Sequence, residues 1–313
     1  MQQIKSNNND IALTEHALLL LLSILPFSFL ILAFIFDTPD NIFIGIYNII
    51  ISPDVLLTDY LEVGGLGAAL LNASLISFIN IFIIYKLNMR ITGAVVAAIL
   101  TIAGFSFFGK SIFNIWPIYL GGFLYVKYRN IPYNNIIVVI IFSTCLSPAV
   151  SQIAFSSGFP LYIGITLGIL VGLIIGFVIT PLSSNMSKLH VGHNLYNVGL
   201  ASGILGTLIY SIMKIFDITI EKQLILSNEY DMFFRTFLLI YFILFIAIGF
   251  IINNKSFKEY GEILKYSGKL ISDYTQLTGF GLTFINMGIM GLVSMIFVYL
   301  SGGILNGPII GGI

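Results

Sequence analysis

The chain has 313 residues, of which 58% are hydrophobic and only 9% are charged. Soluble domains carry about 25% charged residues, so this composition excludes a soluble fold and predicts an all-α integral membrane protein. The 14 basic and 14 acidic side chains balance, which excludes a basic surface for nucleic acid, and the single cysteine, Cys145, excludes an internal disulfide.

A membrane-spanning helix needs roughly 20 mainly apolar residues. By that criterion the chain contains nine predicted spans, in order 17–36, 64–85, 91–108, 112–126, 136–155, 160–180, 195–215, 232–252 and 277–300. The third is rich in Ala, Gly and Thr, and the fourth is short and contains Asn114, Trp116 and Pro117. Either of these two spans is therefore a candidate for a broken or re-entrant helix.

The distribution of Lys and Arg predicts the orientation, because cytoplasmic loops retain basic residues. Loop 37–63 has no basic residue and five acidic ones, whereas segment 253–276 has four lysines. We place the first outside and the second inside. The prediction is a multi-pass protein of the cell (inner) membrane with a cytoplasmic N-terminus.

An internal repeat appears when the chain is compared with itself at an offset of 214 residues. Identical residues then pair as Asp59 with Asp273, Tyr60 with Tyr274, Gly65 with Gly279, Gly67 with Gly281 and Asn72 with Asn286. Because the loops preceding the two matching spans differ in charge, the units are predicted to have inverted topology.

The repeat predicts two domains, a first membrane unit at 15–228 with about seven spans and the start of a second at 229–313. Ile313 pairs with Ile99 in this register. The second unit is therefore expected to be incomplete, and the native protein to be longer by about 115 residues.

Polar and helix-breaking residues at matching depths are the candidate pathway of a solute. Asn72 and Asn286 either form interhelical hydrogen bonds or line the path as a symmetric pair. The sequence Asn306-Gly307-Pro308 breaks an apolar run, and Thr92-Gly93 is its counterpart in the first unit.

A third polar segment runs from His190 to Gly203. Its residues Asn194, Tyr196 and Asn197 form either a pore-lining turn or an interfacial cap with an aromatic anchor. His190 and His193 have no acidic residue or cysteine nearby in sequence, so we predict no metal site and no cofactor.

Three charged residues, Asp59, Asp273 and Lys110, are predicted at the mouths of the path. Lys110 either attracts an anion there or extends its ammonium group to the interface. The stretch from Gly104 to Ser111 matches G-x-x-x-x-G-K-S, but it lies between apolar spans and lacks the preceding strand of a phosphate-binding loop. The predicted spans contain no acid–base pair, which favours a neutral solute or a passive path over a proton-driven one.

The duplicated Gly-x-Gly…Asn spans, the N-G-P-x-x-G-G-I run, the G-F-x-x-F-G-K turn and G-H-N-L-Y-N-V-G resemble a bacterial multi-pass membrane family of unknown function. This resemblance covers nearly the whole chain and implies a longer, duplicated protein without indicating an activity. The short stretch from Asn194 to Leu200 is also similar to urea channels, although their Asn-Pro motif is not reproduced at Asn72 or Asn286.

These features predict a transporter or channel for a small, neutral polar solute, embedded in the lipid bilayer. A homo-oligomer is compatible with this prediction. One alternative is a membrane-embedded enzyme acting on a lipid-like substrate through His190, His193 and Lys110. Another is a membrane scaffold without a pathway.

Overall fold

The computed structural model of the chain describes residues 13–54, 57–156, 158–191, 197–216, 224–266 and 272–313. Helices dominate these ranges. Their bounds are α1 Glu15–Phe36, α2 Pro39–Ile51, α3 Tyr60–Lys86, α4 Gly93–Phe105, α5 Trp116–Arg129, α6 Ile137–Ser143, α7 Ser147–Ser156, α8 Leu161–His190, α9 Asn197–Ile215, α10 Asp231–Ile252, α11 Tyr260–Ile263, α12 Tyr274–Leu277, α13 Gly279–Leu300 and α14 Gly307–Gly312. Two short strands, β1 Leu57–Thr58 and β2 Leu224–Ile225, pair in parallel.

Seven segments of the described ranges are long and apolar enough to cross a membrane. They are α1, α3, the α6–α7 segment Ile137–Ser156, Leu161–Met186 of α8, α9, α10 and α13. This pattern is characteristic of a multi-pass membrane protein. The two other predicted spans form α4 and α5, with 13 and 14 residues. At 1.5 Å per residue each measures about 20 Å, less than the roughly 30 Å of a bilayer core.

Loop 37–63 contains a helix, α2, that is not among the predicted spans. Thr38 caps α2 and Pro39 opens it, as is usual at a helix start. Ile42 and Ile49 are buried on one face, whereas Phe43 is exposed on the other. The apolar part of α2 is too short for the criterion of roughly 20 residues.

Four of the long helices form two antiparallel pairs, α1 with α3 and α10 with α13, that occupy matching places in the proposed register. In the first pair, the Ser74 hydroxyl of α3 donates to the Pro26 carbonyl of α1 at 2.7 Å, and the rings of His16 and Tyr85 lie 5.7 Å apart. In the second, α10 packs along α13, and a Cβ added at Gly249 would lie 2.6 Å from the Gly281 carbonyl oxygen.

Glycines spaced by four residues along α8 allow α5 and α7 to pack closely against this helix. Gly164 and Gly168 contact α7, whereas Gly172 and Gly176 contact α5. A Cβ at Gly176 would lie 2.0 Å from the Ile118 carbonyl oxygen. Small residues between membrane helices commonly allow such close approach. Here they hold α5, which follows the α4–α5 turn, and α7 against α8.

Candidate functional site

The first feature of the candidate site is a buried carboxylate that joins three segments of the chain. Asp59 caps α3 and is fully buried. Its Oδ1 accepts a hydrogen bond from the Leu61 amide at 2.9 Å, and its Oδ2 accepts from the amides of Ser227 at 3.1 Å and Gly307 at 3.0 Å. The last bond ties α3 to the beginning of α14.

The matching aspartate makes the matching contact. Asp273 caps α12 by accepting from the Thr275 amide at 3.0 Å. It also accepts from the Gly93 amide at the beginning of α4, at 3.2 Å and 3.3 Å for its two oxygens. Each aspartate thus binds the first amide of the short helix in the other predicted unit, and both pairs of positions are related by 214 residues.

The starts of the two short helices are built alike. The Thr92 side chain caps α4 by accepting from the Val95 amide at 3.4 Å, and the Asn306 side chain caps α14 by accepting from the Ile309 amide at 3.2 Å. Pro308 lies in the first turn of α14, where its missing N–H leaves no bond unmade. The crossed aspartates therefore satisfy amides that a helix start leaves without an intrahelical acceptor.

A glycine interrupts the helix six residues after each aspartate. Gly65 has φ of 79° within α3, and Gly279 has φ of 84° at the start of α13. Glycine adopts this left-handed region without the steric cost that a Cβ brings. The two breaks separate a short first segment from the long apolar helix in both places.

The two paired asparagines differ in their surroundings. Asn72 is fully buried, and its Nδ2 donates to the carbonyls of Ser106 at 2.7 Å and Lys110 at 2.8 Å. Its Oδ1 accepts from the Ile112 amide at 3.1 Å. The side chain thus binds the α4–α5 turn. Asn286 is only half-buried and accepts from the Tyr260 hydroxyl at 2.9 Å.

A cavity of about 310 Å³ lies between helices of the two predicted units. It is enclosed by α1 and α4 on one side and by α10, α13 and α14 on the other, mostly through Leu, Phe, Met and Ile side chains. The polar residues of its lining are Tyr241, Asn286 and Ser294. The Tyr241 hydroxyl oxygen is buried and has no hydrogen-bond partner within the described ranges. None of the residues that line the cavity is charged.

Lys110 lies inside the protein and not at an open mouth, where the sequence analysis expected it. It is 1% exposed, and its Nζ lies 4.8 Å from the centre of the Phe105 ring. The turn follows a helix and not a strand, so the match to a phosphate-binding loop remains a coincidence of sequence.

The turn that carries Lys110 is fixed by side chains from its surroundings. Asn114 accepts from the Ser111 amide at 2.9 Å and donates to the Gly109 carbonyl at 3.2 Å. The Ser147 hydroxyl donates to the same carbonyl at 2.8 Å. Ser147 lies midway along the Ile137–Ser156 segment, so the α4–α5 hairpin ends beside the middle of a helix of membrane length.

The aspartates and the other predicted residues are distributed over several places. Asp59 is closed to solvent, whereas Asp273 is half-buried. Asn197 begins α9, but Asn194, Tyr196 and His193 lie outside the described residues, as does the His190 side chain. Within the described ranges no group of three His, Cys, Asp or Glu residues lies close enough to hold a metal ion.

One acidic residue of this region was not among the predicted site residues. Asp54 was assigned to an exposed outer loop, but it is 4% exposed and contacts the α4–α5 turn. Its sequence neighbours gave no indication of burial, because the turn that covers it lies 60 residues away in the chain.

The chain belongs to the family described as Protein of unknown function (DUF1576), whose family model matches residues 38–215 and 252–313. Comparison with curated proteins and with solved structures gives no match. The predicted membership of an uncharacterised family is confirmed, whereas the similarity to urea channels stays a prediction.

Proposed function

We propose that this member of the DUF1576 family is a transporter or channel for a small, uncharged solute, built from two units of inverted topology. The crossed bonds from Asp59 to Gly307 and from Asp273 to Gly93 carry the proposal. Two helices that begin at equivalent residues, each bound at its first amide by an aspartate of the other unit, resemble the helix starts at the interface of inverted repeats in transporters.

The dimensions of the short helices support a path at membrane depth. α4 and α5 are each about 20 Å long, so neither can cross a bilayer core of roughly 30 Å. Non-helical backbone at that depth is tolerated where protein or a water-filled cavity surrounds it. The turn between α4 and α5 is held by Asn72 and Ser147, which satisfies this condition.

The charges of the region favour an uncharged solute. The first amides of both short helices already bind a carboxylate, so neither attracts a further anion. The lining of the cavity between the units is mostly apolar and includes the uncharged polar residues Tyr241, Asn286 and Ser294. A volume of about 310 Å³ is at the lower end of the usual range for small-molecule sites.

Osmotic swelling of proteoliposomes tests the proposal. Vesicles with the purified protein are mixed with a panel of small amides, polyols and matched ions. We expect at least one uncharged solute to enter faster than into protein-free vesicles, and Tyr241→Phe to change its rate. Tyr128→Phe is the matched control, since Tyr128 is 75% exposed. Equal rates in protein-containing and protein-free vesicles for every solute contradict the proposal.

A further inference from the structure

Asp54 is a buried carboxylate that the crossed aspartates and the cavity do not explain. It follows α2, and its backbone has φ of 49°, in the left-handed region. Asp tolerates this region better than most residues, but at a cost in free energy that the surrounding contacts must offset. The contacts that hold Asp54 in place are therefore strong enough to fix an unfavourable conformation.

Three polar side chains surround the carboxylate. Its Oδ2 accepts from the Tyr60 hydroxyl at 3.1 Å and from Asn114 Nδ2 at 3.0 Å. The same Nδ2 lies 2.9 Å from the Ser151 hydroxyl oxygen. The carboxylate thus contacts α3 and the α4–α5 turn directly, and α7 through Asn114 and the adjacent Ser151 hydroxyl.

The other carboxylate oxygen, Oδ1, is buried and has no hydrogen-bond partner within the described ranges. The ion pairs of the described residues, Arg235 with Asp231 and Lys265 with Glu262, lie elsewhere. Burying an ionised carboxylate that has an unpaired oxygen and no cation costs much free energy. Burying the protonated acid costs less, because it is neutral.

The environment of Asp54 therefore favours proton binding near neutral pH. Asp54 lies in a connecting segment, outside the seven helices of membrane length. Burial raises its pKa to about 7, against the opposing effect of hydrogen bonds from Ser151, Tyr60 and Asn114. Among the described residues, Tyr60 is the titratable group that bonds to the carboxylate, and its hydroxyl donates a hydrogen bond to Asp54 Oδ2.

We propose that Asp54 is a proton-binding residue, and that its protonation acts through Asn114 on the α4–α5 turn and is coupled to solute passage. A proton from water binds one carboxylate oxygen and changes the charge of the side chain from −1 to 0. The coupling part of this inference rests on the proposed transport function, and the proton-binding part does not.

Asn114 is the connection between the proton and the turn. Its two Nδ2 hydrogens are shared among Asp54, the Gly109 carbonyl and Ser151. A charged acceptor forms a hydrogen bond about twice as strong as a neutral one. Protonation of Asp54 therefore weakens its hold on Asn114, which frees that amide to bind the turn and α7 more strongly.

Infrared difference spectroscopy of the reconstituted protein, labelled with ¹³C at the aspartate carboxyls, tests proton binding without any solute. Between about pH 5 and about pH 9 we expect a protonated-carboxyl band that disappears as the pH rises. The band should be absent from Asp54→Asn and present in Asp40→Asn, whose carboxylate is exposed. A wild-type protein without a band that titrates near neutrality overturns the proposal.

Ser151→Ala provides a second variant in case Asp54→Asn does not fold. It removes a hydrogen bond that favours the ionised form, so the titration of the band should move to higher pH. An unchanged titration midpoint in this variant contradicts the assignment of the band to Asp54.

Uptake into proteoliposomes with an imposed pH gradient tests the coupling. We expect the gradient to stimulate solute uptake several-fold in the wild type and in Asp40→Asn, and not at all in Asp54→Asn. Uptake that is independent of the gradient in the wild type overturns coupling. If no solute enters any vesicle while the titrating band is present, the proposed function fails but proton binding by Asp54 stands.

Discussion

Replacement of Asp59 by asparagine measures how much the hydrogen bonds of this carboxylate contribute to the stability of the fold. The carboxylate accepts three backbone amides, two on Oδ2 and one on Oδ1. Asparagine retains one acceptor oxygen, and its NH₂ group must face at least one amide hydrogen of Leu61, Ser227 or Gly307. One bond is lost, and the remaining ones become bonds between neutral groups.

The magnitude follows from these bonds. Hydrogen bonds to charged groups contribute about 1.5–3 kcal/mol and neutral ones about 0.5–1.5 kcal/mol. Losing one charged bond and weakening two others predicts a decrease of about 3–5 kcal/mol in the free energy of unfolding for Asp59→Asn. Asp273 is half-buried, and exposure to water reduces the value of its bonds, so Asp273→Asn should cost about 1 kcal/mol.

Unfolding by SDS in mixed micelles, followed by the fluorescence of the single tryptophan, Trp116, measures the difference. Asp40→Asn is the control, since Asp40 is an exposed acid in the first turn of α2 and should contribute at most about 1 kcal/mol. The reasoning is refuted if Asp59→Asn and Asp40→Asn are equally stable.

A double-mutant cycle tests the contact itself. A Cβ at Gly307 would lie 2.6 Å from Asp59 Oδ1, so Gly307→Ala alone disturbs the same bonds that Asp59→Asn removes. We expect the two changes to be non-additive by about 0.5–3 kcal/mol, as residues in direct contact are. Additive losses of stability would mean that Gly307 and Asp59 do not interact.

Three further predictions concern packing and the α4–α5 turn, and each is measured by the same unfolding assay. Asn72→Ala should lower the free energy of unfolding by about 2–4 kcal/mol because three backbone groups lose their partner, whereas Asn286→Ala should cost about 1 kcal/mol; equal losses would contradict the difference in their contacts. Gly176→Ala should destabilise strongly because its Cβ would overlap the Ile118 carbonyl, whereas Gly203→Ala, with no atom within 4 Å of the added carbon, should not; similar stabilities would refute the close packing of α5 on α8. Lys110→Met should leave stability unchanged or raise it, because it removes a buried ammonium that has no carboxylate partner among the described residues. A large loss would show that this ammonium has an essential partner.

Hydrophobicity along the chain was sufficient to find the long helices, because a helix that crosses a membrane must be apolar over its whole length. It was insufficient for α2, whose apolar part is too short to be recognised. The same criterion overestimated segments 91–108 and 112–126, which are apolar enough for spans but end early at the turn that Asn114 and Ser147 hold.

The repeat predicted which site residues correspond, but not what they bind. Matching positions of Asp59 and Asp273 are visible in sequence, whereas the crossing of their bonds depends on how α14 and α4 pack, which no local pattern records. For the same reason, the sequence did not predict that Lys110 and Asp54 are buried. A charged residue in a short polar segment is usually exposed, and only the tertiary contacts of the turn bury these two.

The crossed contacts are alike in register but unlike in burial, and this difference bears on mechanism. Asp59 is closed to solvent and binds amides of three segments, while Asp273 is half-buried and bonds to its own helix and to Gly93. In inverted repeats the two units can exchange conformations, which opens one side as it closes the other. Under the proposed transport function, such an exchange would loosen the contact of Asp59 with Gly307 as it tightens that of Asp273 with Gly93. A proton on Asp54 would then act on this exchange through the α4–α5 turn, which Asn114 connects to its carboxylate.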